Sequence, residues 1–217
     1  MRAKAADCSV RQMNPHALIS RLTSDRPQRI GFYGTSLTAA GGWVPQVTEV
    51  LTTRFPGLVT TFNGAESGMH SGWGLANLDA RVLVHRPESL FIEFAVNDAC
   101  ERFGITVAEA RENLENMVDR VLAQNPDCAI ILQVMSPVLD RPPGHAGHRP
   151  ELVAYQENYR AVGRERGILV IDHMPAWTKL LTENEAQFRS WVPDGLHPVA
   201  EGYAHVVVPV ILGELGV

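Results

Sequence analysis

The chain has 217 residues, a formal net charge of -5 and a hydrophobic share of 45%, enough for one sizeable buried core. That balance excludes the clustered basic face of a nucleic-acid binder and any basic patch for anionic membranes. No window approaches a transmembrane span, and Cys8, Cys100 and Cys128 form no CxxC pair, which argues against a disulfide framework or a zinc site.

The N-terminal stretch, residues 1–28, has no apolar segment of signal-peptide length. Together with the sparse cysteines, this leads to a cytoplasmic expectation. These residues are read as an arm or extra helix ahead of a single domain at 29–217. The first apolar run is Arg29 to Gly34. An amphipathic helix is expected from Trp43 to Phe55, ended by Pro56-Gly57. A β-branched run follows from Leu58 to Phe62, then a helix from Leu75 to His85 that stops before Pro87. Ser89 to Val96 is nearly all apolar, as a strand buried on both faces should be.

Thr106 and Glu109 have capping-box spacing. Apolar residues then recur at helical spacing from Val107 to Val121, until Asn125-Pro126. Cys128 to Met135 is the fourth run, with Cys128 expected in the core. A Pro-, Gly- and His-rich loop (136–150) leads to a helix over Glu151–Arg166. Gly167, a fifth run at Ile168–Ile171 and a last helix over Pro198–Leu215 close the chain. Five apolar runs alternating with helices predict an α/β fold, a three-layer α/β/α sandwich on a five-stranded parallel sheet.

In such a sheet, ligands bind beyond the carboxyl ends of the strands. After the first strand stands Gly34-Thr35-Ser36-Leu37-Thr38. A serine at that turn can be a nucleophile, a phosphate cradle or part of an ordinary turn. After the second strand comes a loop holding Gly64, Gly68 and Gly72, which permits unusual backbone angles or simple flexibility. The third strand leads to Asn97-Asp98, an amide donor or a common turn, with Asp98 expected to satisfy backbone donors. Asp194 precedes His197 by three residues, so the acid can fix the imidazole tautomer or merely cap a helix.

The joint order is more specific than its parts. Ser36, Gly68, Asn97 and Asp194-x-x-His197 resemble the successive blocks of the SGNH hydrolases, also called the GDSL lipase/esterase family, from about Arg29 to Gly213. Thr35 stands where that signature has Asp, and Ala95 where the third block has Gly. The resemblance implies a flavodoxin-like fold and an ester hydrolase needing no cofactor. It implies Ser36 as nucleophile, His197 as base and Asp194 as its orienting acid. The amides of Ser36 and Gly68 and the Asn97 side chain would form the oxyanion hole.

The substrate expected on this reading is a small-molecule ester, with acetylated sugars first. Thioesters and lysophospholipids are the alternative, and a non-catalytic carbohydrate-binding relative the third. His70, Arg141, His145, His148, Arg149 and Trp191 are expected near the substrate, with Glu66 and Trp73 shaping the pocket or simply packing. The His145/His148 spacing, lacking a third ligand, is read as loop and not metal site. His85, His173 and His205 are expected to be structural.

Overall fold

The structure is a computed structural model that describes residues 16–136, 138, 139 and 141–217. Residues 1–15 of the expected arm, Cys8 among them, lie outside the described residues. Ala17–Leu22 form a short helix, α1, with Leu18, Ile19 and Leu22 buried.

Five strands build the sheet: β1 Gln28–Gly34, β2 Val59–Asn63, β3 Ser89–Glu93, β4 Ala129–Val134 and β5 Leu169–Asp172. All pair in parallel, in the order β2-β1-β3-β4-β5. β1 sits beside β3, with Gly34 opposite Glu93. The order reverses around β1, so the ends of β1 and β3 frame a crevice of the kind that holds ligands in open α/β sheets.

Alternating strand residues feed two cores. Ile30, Phe32, Phe91 and Ile131 face one, with Trp43, Trp177 and Ile211 from the helices. Tyr33, Leu90, Ile92 and Leu132 face the other, with Leu114, Val118 and Tyr159. The two-residue period of a strand thus serves two helical layers, as an α/β/α sandwich requires. Cys128 is core, and burial pushes its thiol up to about 12.

The helices that follow in the chain are α2 Ser36–Ala39, α3 Trp43–Arg54, α4 Ser71–Arg81, α5 Ala95–Asp98, α6 Val107–Gln124, α7 Leu152–Arg166, α8 Met174–Glu183, α9 Glu185–Trp191, α10 Ala200–Gly202 and α11 Val208–Leu215. The capping box forms: Thr106 accepts from Glu109 N–H while Glu109 takes Thr106 N–H. Among the described residues, no helix is long and apolar enough to cross a membrane.

The third strand ends at Glu93, and the apolar residues after it wind into α5. α4 starts at Ser71, not Leu75, because Asp98 accepts Ser71 N–H at 2.7 Å and caps it from another element. It ends at Arg81, with a separate 3₁₀ turn over Leu83–His85. The last helix begins at Ala200 and contains a π turn at Tyr203–Val207. Pro209 lacks the N–H that would bond the His205 carbonyl, and the π turn falls there. α8 and α9 were not expected from the sequence.

Candidate active site

Ser36 opens α2 directly after β1. Thr35 caps the turn, its side chain accepting Leu37 N–H. Ser36 N–H is therefore at the first helical position, where a backbone donor has no partner within its own helix. Outside anchors fix this short turn. Trp43 Nε1 donates to the Leu37 carbonyl at 2.8 Å, and Asn63 Nδ2 to the Thr38 carbonyl at 3.1 Å.

Ser36 Oγ lies 2.8 Å from His197 Nε2, and His197 Nδ1 lies 2.6 Å from Asp194 Oδ2. The acid assigns the tautomer: Nδ1–H donates to it, leaving Nε2 to accept from the serine hydroxyl. Asp194 Oδ1 accepts the N–H groups of Leu196 and His197 at 2.9 and 2.7 Å. Partial burial pushes this carboxyl up, but its hydrogen bonds from His197 and Leu196 outweigh burial and hold it below the usual range. Gly195, at φ +78°, makes the tight turn that aims both amides at one oxygen.

The loop after β4 holds that turn in place. Leu139 N–H donates to the Gly195 carbonyl, Ser136 Oγ to that of Leu196, and Arg141 to that of Asp194 at 2.6 Å. A cavity of about 280 Å³ lies between loop and turn, lined by Arg102, Leu139, Arg141, His145, Arg149 and Leu196 among others.

On the other flank, Asn97 is buried in α5 and donates one amide hydrogen to the Met69 carbonyl at 2.9 Å. Its second amide hydrogen remains for another acceptor. That bond ties Asn97 to the Gly68 loop. Gly68 has φ +76°, and no atom lies within 4 Å of where a Cβ would sit. The glycine is therefore required by its backbone angle, not by lack of space.

Other expected contacts land differently. Arg149 is buried and points inward: Nε donates to the Val96 carbonyl at 2.6 Å, and Nη2 lies 3.5 Å from Asn97 Oδ1. It braces the segment carrying Asn97. His148 is also buried, its Nδ1 against the Arg141 carbonyl, so it organises the loop. His145 lines the cavity and accepts Gly147 N–H. His70 packs on Phe103, and burial lowers its pKa, favouring the neutral ring.

Trp191 stacks on His205 and lines a second cavity with Leu180, Val206 and Val210. Trp73 lies under Arg81, which pairs with Glu66 at 3.0 Å. His85 stacks on Phe62, and His173 is fully buried beside Gln133.

Sequence reasoning missed Glu93. It is a buried acid at the end of β3, and it accepts from Thr35 and Thr38 on either side of Ser36. The available signal was one carboxylate inside an otherwise apolar run.

Residues 31–205 match the GDSL-like lipase/acylhydrolase family. The chain belongs to that family. Membership makes it a hydrolase of ester bonds. Solved structures with a similar fold include the lipase/acylhydrolase from Enterococcus faecalis, at 26% identity and TM-score 0.72, covering 87% of this chain and 95% of that one. The acetylxylan esterase Axe2 from Geobacillus stearothermophilus has 18% identity and TM-score 0.76, covering 88% and 95%. An alpha/beta hydrolase from the metagenome of Lake Arreo, Spain, has 20% identity and TM-score 0.73, covering 88% and 96%. Among curated proteins, none matches.

Proposed function

We propose that this family member is a serine esterase acting on small carboxylic esters with short acyl chains, carbohydrate O-acetyl esters foremost. The observation that carries the reading is the continuous relay from Ser36 Oγ through His197 to Asp194, at 2.8 and 2.6 Å. A serine hydroxyl is a weak nucleophile until an adjacent base takes its proton.

Ser36 Oγ attacks the ester carbonyl carbon while its proton passes to His197 Nε2. The carbonyl oxygen becomes an oxyanion, received by the amides of Ser36 and Gly68 and the second Asn97 amide hydrogen. Asp194 stabilises the imidazolium. Collapse of the intermediate breaks the bond to the leaving alcohol, which takes the proton from His197. Water then attacks the acyl-serine by the same route, releasing the acid and restoring the hydroxyl.

The substrate class rests on two supports. The cavity beside the Asp194 turn has Arg102, Arg141 and His145 in its wall. One structural neighbour is an acetylxylan esterase. The test is hydrolysis of p-nitrophenyl acetate, butyrate and octanoate by wild type and Ser36→Ala. Acetate turned over fastest, and only by wild type, is expected. Preference for octanoate would contradict the short-chain reading, and no turnover by wild type would point to a binding protein.

A further inference from the structure

Beneath the nucleophile turn lies a carboxylic acid to which the ester mechanism gives no part. Glu93 ends β3 and is 2% exposed. Its Oε1 accepts Thr35 N–H and the Thr38 hydroxyl, each at 2.7 Å, and both its oxygens lie within 3.1 Å of Thr35 Oγ1. Gly34 makes room for it: a Cβ there would sit 2.2 Å from Oε1.

Stability alone does not account for this arrangement. Among the described residues no cation pairs with Glu93, and a buried acid without a counter-charge costs more than an apolar side chain of its size. Burial, aided by the charge of Asp98 and opposed by the Thr38 and Thr35 hydrogen bonds, pushes Glu93 up to about 8. This favours the protonated acid, and the Thr35 hydroxyl donates toward both carboxyl oxygens, at 3.0 and 3.1 Å. α2 has four residues, too few to hold one geometry unaided. Trp43 and Asn63 anchor only the carbonyls of Leu37 and Thr38. Glu93 grips the turn both before and after Ser36.

We propose that Glu93 is a positioning residue for the nucleophile, holding Thr35 and Thr38 so that Ser36 Oγ points at His197. This rests on Ser36 being the nucleophile. Glu93 touches no reacting atom. Its loss lets the turn shift, which lowers turnover more than substrate affinity.

The test measures kcat and KM on p-nitrophenyl acetate for wild type, Ser36→Ala, Glu93→Ala, Glu93→Gln and Thr38→Val, with a thermal melt of each. Misplacing a reacting group by an ångström costs about 10²-fold, so Glu93→Ala should lose about that much kcat. Its KM should stay within about twofold. Glu93→Gln keeps an acceptor and a donor and should recover kcat to within about threefold of wild type. Thr38→Val should lose about three- to tenfold in kcat, the worth of one hydrogen bond. In the double variant Glu93→Ala/Thr38→Val the Thr38 change should add nothing.

A folded Glu93→Ala with wild-type kcat, or Glu93→Gln as impaired as Glu93→Ala, would overturn the proposal. Should Glu93→Ala not fold, wild-type kcat in Thr38→Val would overturn it instead. Turnover surviving in Ser36→Ala would remove the nucleophile itself. An inactive Ser36→Ala beside fully active Glu93→Ala and Thr38→Val would remove only the role of Glu93.

Discussion

Ser36 Oγ and His197 Nε2 stand 2.8 Å apart across 161 positions of sequence. Parallel strand order closes that distance. Ser36 leaves the carboxyl end of β1, and the loop after β4 pins the turn that carries His197. The relay therefore depends on tertiary anchors more than on either local segment.

Asp194→Asn should lower kcat about 10⁴-fold while leaving the fold intact. The retained oxygen can still accept the Leu196 and His197 amides, but the new NH₂ would face Nδ1 and favour the wrong tautomer. Steady-state kinetics with a thermal melt checks this. A kcat within tenfold of wild type would remove Asp194 from the mechanism.

Asn97→Ala should lower kcat about 10²–10³-fold, as expected for loss of one oxyanion donor. It also deprives the Met69 carbonyl of its partner, so some stability should go too. Near-normal turnover in the folded variant would sink the oxyanion role of this amide.

Gly68→Ala isolates a backbone effect. Nothing lies within 4 Å of the added methyl, yet φ is +76°, a conformation that costs an L-residue roughly 1–2 kcal/mol. A lower melting temperature and reduced kcat are expected together. An unchanged melting temperature would mean that the loop relaxes at no cost.

Stability should depend on pH through Glu93. Its carboxyl titrates near 8 in the folded chain against 4.5 ordinarily. The folded state holds the proton more tightly, so this contribution is full below the ordinary value and is lost as pH rises through 8. Asp98, raised to about 7 by burial, acts in the same direction. The melting temperature of wild type should therefore fall relative to Glu93→Gln between about pH 5 and pH 9. Parallel curves for the two proteins would contradict a raised Glu93.

The sequence carried the frame and the site in different ways. The capping box at Thr106 and Glu109 and the apolar period after it are local signals, and α6 forms where they point. All five strands follow from apolar runs bounded by turn residues. The run Phe94-Ala95-Val96 misled because a buried strand and a buried helical turn share the same composition. α8 and α9 escaped because Trp177 and Phe188 are the only fully buried anchors in two short helices.

Within the site, Ser36, His197 and Asp194 come together because each sits at a strand end or in a turn with a recognisable pattern. Arg149 and Glu93 act across elements, through Val96, Asn97, Thr35 and Thr38. No local pattern encodes such partners. Trp191 is near Asp194 in sequence, and α9 stacks it on His205, a pairing that no local pattern encodes either.

The proposed esterase stands or falls with a covalent acyl intermediate on Ser36. The most direct measurement is peptide mass spectrometry after reaction with diethyl p-nitrophenyl phosphate, which phosphorylates an activated serine and blocks it. One diethylphosphoryl group on Ser36, with loss of esterase activity in step and no label in His197→Ala, is the predicted result. Full loss of activity with the label on another residue, or undiminished turnover by protein fully labelled at Ser36, would contradict the account.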